Sequence, residues 1–216
     1  MRSSVGKSLL FPVLVVVTML PSQLVFAQTV GVDAVDAIWR VQSLPFAFRG
    51  RHVLYACSTF QKKLRSVLEA VGAHSSLIIQ TSCSQTALTG RIDARIALAT
   101  PTPATAENIA AATTFDSKRE LIARLKKTPL PTASDIERFR AVHRTVVLEN
   151  RGGLQLEPSD CELLIAIRDQ LFPRLDVVVA KNTAFCSEAL ARPVLIEVQA
   201  LIRVRVDDEV DLPDSG

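Results

Sequence analysis

Aromatic residues make up only 5% of the 216-residue chain, with one tryptophan and one tyrosine. Single-stranded nucleic acid is bound on successive aromatic platforms, so nucleic acid is excluded as an expected partner. Two methionines exclude a Met-rich metal carrier. The three histidines, His52, His74 and His143, form no H-x-x-H or H-E-x-x-H, so no metal site and no cofactor is expected. C-x-x-C is absent, which removes a thioredoxin-type redox centre. Beyond the first 27 residues there is no G-x-S-x-G or S-x-x-K for a serine hydrolase. Nor is any later apolar run long enough to span a bilayer, which takes roughly 20 residues.

What is present at the N-terminus sets the expected compartment. "MRSSVGKSLL" carries Arg2 and Lys7 and no acid, "LLFPVLVVVTML" is apolar, and "PSQLVFA" ends with Val25 and Ala27 at small-residue cleavage positions. This pattern predicts a Sec-type secretory signal peptide over 1–27, cut after Ala27, and a periplasmic or secreted protein with no stable transmembrane anchor after cleavage. Removing 27 residues from 216 leaves 189, enough for one domain over 28–206 with a sizeable core. Without Arg2 and Lys7 the 25 basic residues become 23 against 22 acidic ones. A chain this close to neutral has no general attraction for polyanions.

Periodicity organises the rest. Residues 28–48 read as a lead-in in which part adds an edge strand, since Pro45 is tolerated there, and Trp39 serves as a packing anchor. "RHVLYAC", 51–57, is rich in β-formers and predicts a strand. Ser58 and Gln61 form an S-x-x-Q capping box, and Phe60, Leu64, Val67, Leu68 and Val71 line one face of the following helix. "SSLIIQTSC", 75–83, and the alternating "RIDARIALAT", 91–100, predict two more strands. After "TPTPATAENIAAATTF", a Pro/Thr/Ala connector, Ser117 and Glu120 cap a short helix, and Ser134 and Glu137 cap a helical turn through "DIERFRAVH". Then "RTVVLEN" (144–150) reads as a strand. Ser159 and Glu162 cap a helix through "DCELLIAIRDQLF", and "RLDVVVA" (174–180) and "VLIEVQALIRVRV" (194–206) read as strands. An acidic tail, 207–216, closes the chain.

The expected fold is therefore α+β. Two strand–helix–strand–strand units, about 50–100 and 143–206, form an antiparallel or mixed sheet with helices on one face, and a helical connector, 101–142, joins them. The expected core holds the alternating strand faces, the Phe60–Val71 stripe and Leu164, Ile167 and Leu171. All four cysteines follow this plan. Cys57 and Cys161 lie at the two helix starts, and Cys83 and Cys186 follow 26 and 25 residues later, each after a strand. An even count in an exported chain favours disulfides. The matched spacing favours Cys57 with Cys83 and Cys161 with Cys186, although sequence alone leaves the crossed pairings open. The alternative role for Cys57 is a thiolate activated by a helix N-terminus. His52, five residues earlier on the expected strand, would then face the wrong way to act as its base.

Tyr55 and Cys57 in "YAC", and Asp160, Cys161, Glu162 and Leu163 in "DCEL", carry a resemblance. The chain resembles a group of small exported proteobacterial proteins that place a Tyr-x-Cys before the first helix and an Asp-Cys-Glu-Leu at the start of the second. The resemblance covers most of 45–205. It implies an exported protein with two disulfides and implies no activity. The stretch 116–135 is an addition to that pattern.

Two function classes remain. The first is a non-catalytic binding or envelope-assembly module. Its candidate surface is the basic connector helix, where Lys118, Arg119, Arg124, Lys126 and Lys127 surround Leu121, Ile122 and Leu125, and Arg138, Arg140 and Arg144 follow. Such a helix can meet an envelope protein or an anionic polymer, or simply lay its apolar stripe on the sheet and solvate its charges. The second class is an enzyme whose site is assembled from dispersed residues around His52, His143 and nearby acids. Asp93, Glu149, Glu157 and Asp160 read as solvated or capping carboxylates, and "NRGG" at 150–153 as a turn rather than an anion-binding nest.

Overall fold

The computed structural model describes residues 33–83, 88–149, 154, 156–183, 186 and 195–204. The expected leader, the "RGG" turn and the acidic tail lie outside the described residues. The fold is α+β, built on one six-stranded sheet in which all paired strands are antiparallel.

The longest strand, β1 (Val35–Arg49), runs through what reads in sequence as a lead-in. Leu44, Phe46 and Phe48 alternate inward along it. After it come α1 (Cys57–Ala70), β2 (Ile78–Thr81) and β3 (Arg91–Pro103). The chain then forms α2 (Ala106–Thr113) and α3 (Ser117–Lys126) before β4 (Arg138–Glu149), α4 (Cys161–Gln170), β5 (Val178–Asn182) and β6 (Leu195–Arg203). The sheet order is β2-β3-β1-β4-β6-β5. Each half of the sheet thus has the same element order, strand–helix–strand–strand, and the order is palindromic about β1 and β4.

The two halves meet over a short seam. β1 pairs with β3 along almost its whole length, from Ala37↔Pro103 to Arg49↔Arg91. It pairs with β4 only from Val35↔Ala141 to Ile38↔Arg138. Beyond that the strands run apart, and β4 continues against β6 alone. The edge of β1 left uncovered needs partners for its backbone groups. At Ala47 the Gln170 side chain supplies them: its amide accepts from the Ala47 N–H at 3.0 Å and donates to the Ala47 carbonyl at 2.9 Å. Pro45 lies two residues away, so its backbone points to the same uncovered edge, where no strand awaits the N–H that proline lacks.

One core joins the halves. Leu44, Phe46, Phe48, Ile92, Ile96, Ile196 and Val198 from the sheet are buried with Phe60, Leu64, Val67 and Leu68 of α1 and Leu163, Leu164 and Ile167 of α4. The expected Phe60–Val71 stripe and Leu164, Ile167 and Leu171 are all found here. A second, smaller cluster of Ala37, Phe139 and Ala141 sits at the seam, and Trp39 packs on it with its ring 4.6 Å from that of Phe139. Gly72 ends α1 at a positive φ of 96°. A Cβ there would lie 2.7 Å from the Leu201 carbonyl oxygen, so the close approach of the helix end to β6 requires glycine.

Several local expectations are corrected. Residues 51 and 52 are bends, 53 and 54 have no regular structure, and only Tyr55 bridges, to Thr89. The reason is competition, because the Arg51 and His52 N–H groups donate to the Glu162 carboxylate rather than to a strand. The capping boxes expected at α1, α3 and, from Ser159 and Glu162, at α4 do not form. Ala56 precedes α1 with no side-chain cap, and Gln61 bonds Thr81 Oγ1 instead. α3 is capped by Asp116, which accepts from the Arg119 N–H. The box near residue 134 is Thr132 with Asp135. The helical turn expected through "DIERFRAVH" is the start of β4, whose Phe139 and Ala141 alternate into the seam cluster. Within the Pro/Thr/Ala connector, residues Ala106–Thr113 form α2.

Both disulfides pair within a half: Cys57 with Cys83 and Cys161 with Cys186. Each ties the first residue of a helix to the segment after the strand that returns beside it. Mass mapping of the unreduced protein is expected to yield those two linked peptides, and a Cys57–Cys161 peptide would contradict the fold. Gly72→Ala is expected to lower stability by about 2–4 kcal/mol, from the clash and the left-handed backbone together, read as a shift of the urea midpoint. A midpoint shift below a tenth of that size would show that the contact with Leu201 is dispensable.

Candidate functional site

The polar centre of the molecule is a buried network that spans the two halves. Asp160, the residue before α4, has no solvent exposure. One of its carboxylate oxygens accepts from the Tyr55 hydroxyl at 2.5 Å. The other accepts from Lys63 Nζ at 2.5 Å and from the Glu157 N–H at 2.6 Å. Lys63, on the buried face of α1, also lies 3.4 Å from a Glu157 carboxylate oxygen. A carboxylate and an ammonium in a site this dry are tolerated only when paired and bonded on every side. Burial, the hydrogen bond to Asp160 and the nearby acidic charges all hold the Tyr55 hydroxyl proton well above the ordinary tyrosine value of 10.0. Tyr55 therefore works as a permanent donor. Asp160, expected among the solvated or capping carboxylates, is a buried structural charge that also caps its own turn.

Each histidine has its own neighbours. His52 Nε2 lies 4.0 Å from Glu162, beside an open cleft lined also by Arg49, Arg51 and Cys186. Glu162 Oε2, however, is taken by the two backbone N–H groups of that turn. His74 Nδ1 is bonded to Ser76 at 2.7 Å, and its ring meets Trp39 edge-on. His143 lies on β4 opposite Leu201 and is exposed. Among the described residues, no group of three His, Cys, Asp or Glu side chains is placed to hold a metal ion. Cys57 is in a disulfide, so it cannot be a thiolate nucleophile.

The five basic connector residues do come together. Lys118, Arg119, Arg124 and Lys126 lie on α3, and Lys127 caps its C-terminus in the left-handed conformation at φ 51°. The helix buries none of its residues. Its apolar stripe is turned outward: Leu121 is 58% exposed, Ile122 40% and Leu125 75%. Helical spacing places Lys118 on the same stripe as Leu121, Ile122 and Leu125, with Arg119, Arg124 and Lys126 on its flanks. The alternative of a stripe laid on the sheet is thereby corrected. At the N-terminal end of α3 the Arg119 guanidinium lies 5.2 Å from the Phe115 ring centre. Both residues border a cavity of about 230 Å³ between the connector and β1, whose walls include Trp39, Val41 and Ala112.

The sequence shows the five cations together, but nothing in it joins Tyr55 to Asp160 or to Lys63. The available signal for Lys63 is its position three residues after Phe60 and four before Val67, where a lysine interrupts an apolar stripe.

No family model matches the chain, and no curated protein or solved structure matches it. Two disulfides are present, and among the described residues no helix is long and apolar enough to cross a membrane.

Lys63→Met is expected to cost about 3–5 kcal/mol, because it leaves the Asp160 charge buried with one strong partner fewer. Tyr55→Phe should cost about 1–3 kcal/mol for the unsatisfied acceptor. The tyrosine is the only one in the chain, so tyrosinate absorbance reports it alone. The folded state holds the proton more tightly than the unfolded chain does. Stability from this source is therefore complete below the ordinary value of 10.0 and falls as pH rises above it. Tyrosinate should appear only together with alkaline unfolding, and ionisation of the native protein near the ordinary value would overturn the buried arrangement.

Proposed function

We propose that the protein is an exported, non-catalytic binding module that engages an envelope component through the exposed α3 segment. The observation that carries this reading is the outward stripe of Leu121, Ile122 and Leu125, framed by Lys118, Arg119, Arg124, Lys126 and Lys127 on a helix that adds nothing to the core. Exposed apolar side chains concentrated on one element mark interaction surfaces more often than stability elements. The scaffold beneath is stiffened by the two disulfides and the buried network, as suits a platform that presents one surface. The basic, apolar and small-residue order of residues 1–27 and the use of four paired cysteines support export.

The test is recovery of partners from an envelope extract, comparing the wild type with a variant in which the five connector cations are changed to glutamine. Loss of the wild-type partner profile is expected. An unchanged profile would remove the connector from the function.

A further inference from the structure

We infer that α3 docks on the surface of an anionic phospholipid bilayer, an identification of the partner that rests on the reading of the connector as the binding surface. Three observations point there. The first is shape. The apolar stripe is only three side chains, Leu121, Ile122 and Leu125, on a helix of ten residues. A stable protein interface buries about 800 Å² on each partner, far more than such a stripe offers. A bilayer interface asks for less, because a short amphipathic helix can lie in the headgroup plane with a few side chains inserted.

The second is charge complementarity. From 117 to 127 the segment carries five cations and one carboxylate, Glu120. Long basic side chains beside an inserted stripe keep their stems on apolar surface and their charges at headgroup level.

The third is preorganisation. A surface helix of ten residues is marginal on its own, yet α3 is closed at both ends. Asp116 accepts from the Arg119 N–H, and the Lys127 and Thr128 N–H groups return to the carbonyls of Arg124 and Ala123. The stripe is thus displayed without waiting for a partner to fold it.

The experiment is co-sedimentation of the exported chain with vesicles of phosphatidylcholine alone, and of phosphatidylcholine with roughly a quarter phosphatidylglycerol. Two variants accompany the wild type, each checked for an unchanged circular dichroism spectrum. One carries the five cations changed to glutamine, and the other carries Leu121→Gln with Leu125→Gln. The wild type is expected to bind the anionic vesicles at least about tenfold more tightly than the neutral ones, and to be released by salt. Each variant is expected to lose about tenfold or more. Equal binding to both vesicle types, or a leucine variant that binds as the wild type does, would overturn the inference. Repeating the envelope pulldown in detergent separates the two failures. A captured protein that depends on the five cations, with no vesicle binding, would reject the bilayer and keep the binding module. Indifference in both assays would reject both.

Discussion

The carboxylate of Asp160 is sealed from water, and its three donors come from both halves of the fold: Tyr55 and Lys63 from the first, Glu157 from the second. This matters because the sheet alone joins the halves weakly. β1 and β4 share four residue pairs and then part. Without further ties the two three-stranded sheets would be free to pivot about that seam. The buried charge forbids it, since any rotation that separated α1 from the turn before α4 would strand an ion in a low-dielectric interior. Such a network adds little net stability compared with an apolar filling. Its effect is to make a single relative placement of the halves far better than its neighbours.

Other contacts extend the same logic outward. Glu162 takes the N–H groups of Arg51 and His52, and Gln170 completes the backbone of Ala47. Arg40 pairs with Asp176 at 2.9 Å. In each case a polar side chain of one half serves the other half, where the parting of β1 and β4 leaves groups unpaired. The disulfides act at a different level. Each closes a loop inside its own half and stabilises that half by roughly 3 kcal/mol in the chain-entropy account. Covalent staples thus hold each unit together internally, and the shared core and the buried polar network hold the units to each other.

The α+β class, both long helices and the strands β3 and β6 were legible in the sequence because their apolar residues keep one period. The failures have a common cause. β1 is half obscured by Pro45, Arg40 and Gln42, whose presence makes sense only once β4 is known to leave its side. The segment 51–57 carries strand-forming side chains, but Glu162, more than a hundred positions away, claims the N–H groups of Arg51 and His52. "DIERFRAVH" has helical spacing in its charges, and only the pairing of Phe139 with Ala37 reveals a strand. The network escaped for the same reason, because polar residues report their partners only through the fold. The basic helix is legible as a helix. Its orientation was not legible, because a stripe of three apolar residues reads the same whether it faces the sheet or the solvent.

That orientation bears on what the connector is for. Its ends are anchored: the Ala104 N–H donates to the Asp36 carbonyl, Asn108 bonds Thr102 and Pro103, and Glu137 pairs with Arg203 at 3.0 Å. Between these points α3 returns nothing to the core. Leucines at 121 and 125, held in water, gain no burial from the folded chain and leave exposed apolar surface that favours unwanted association. Helix propensity would be met as well by alanine or glutamine there. The packing of the fold therefore supplies no burial for this stripe or for the cations that frame it.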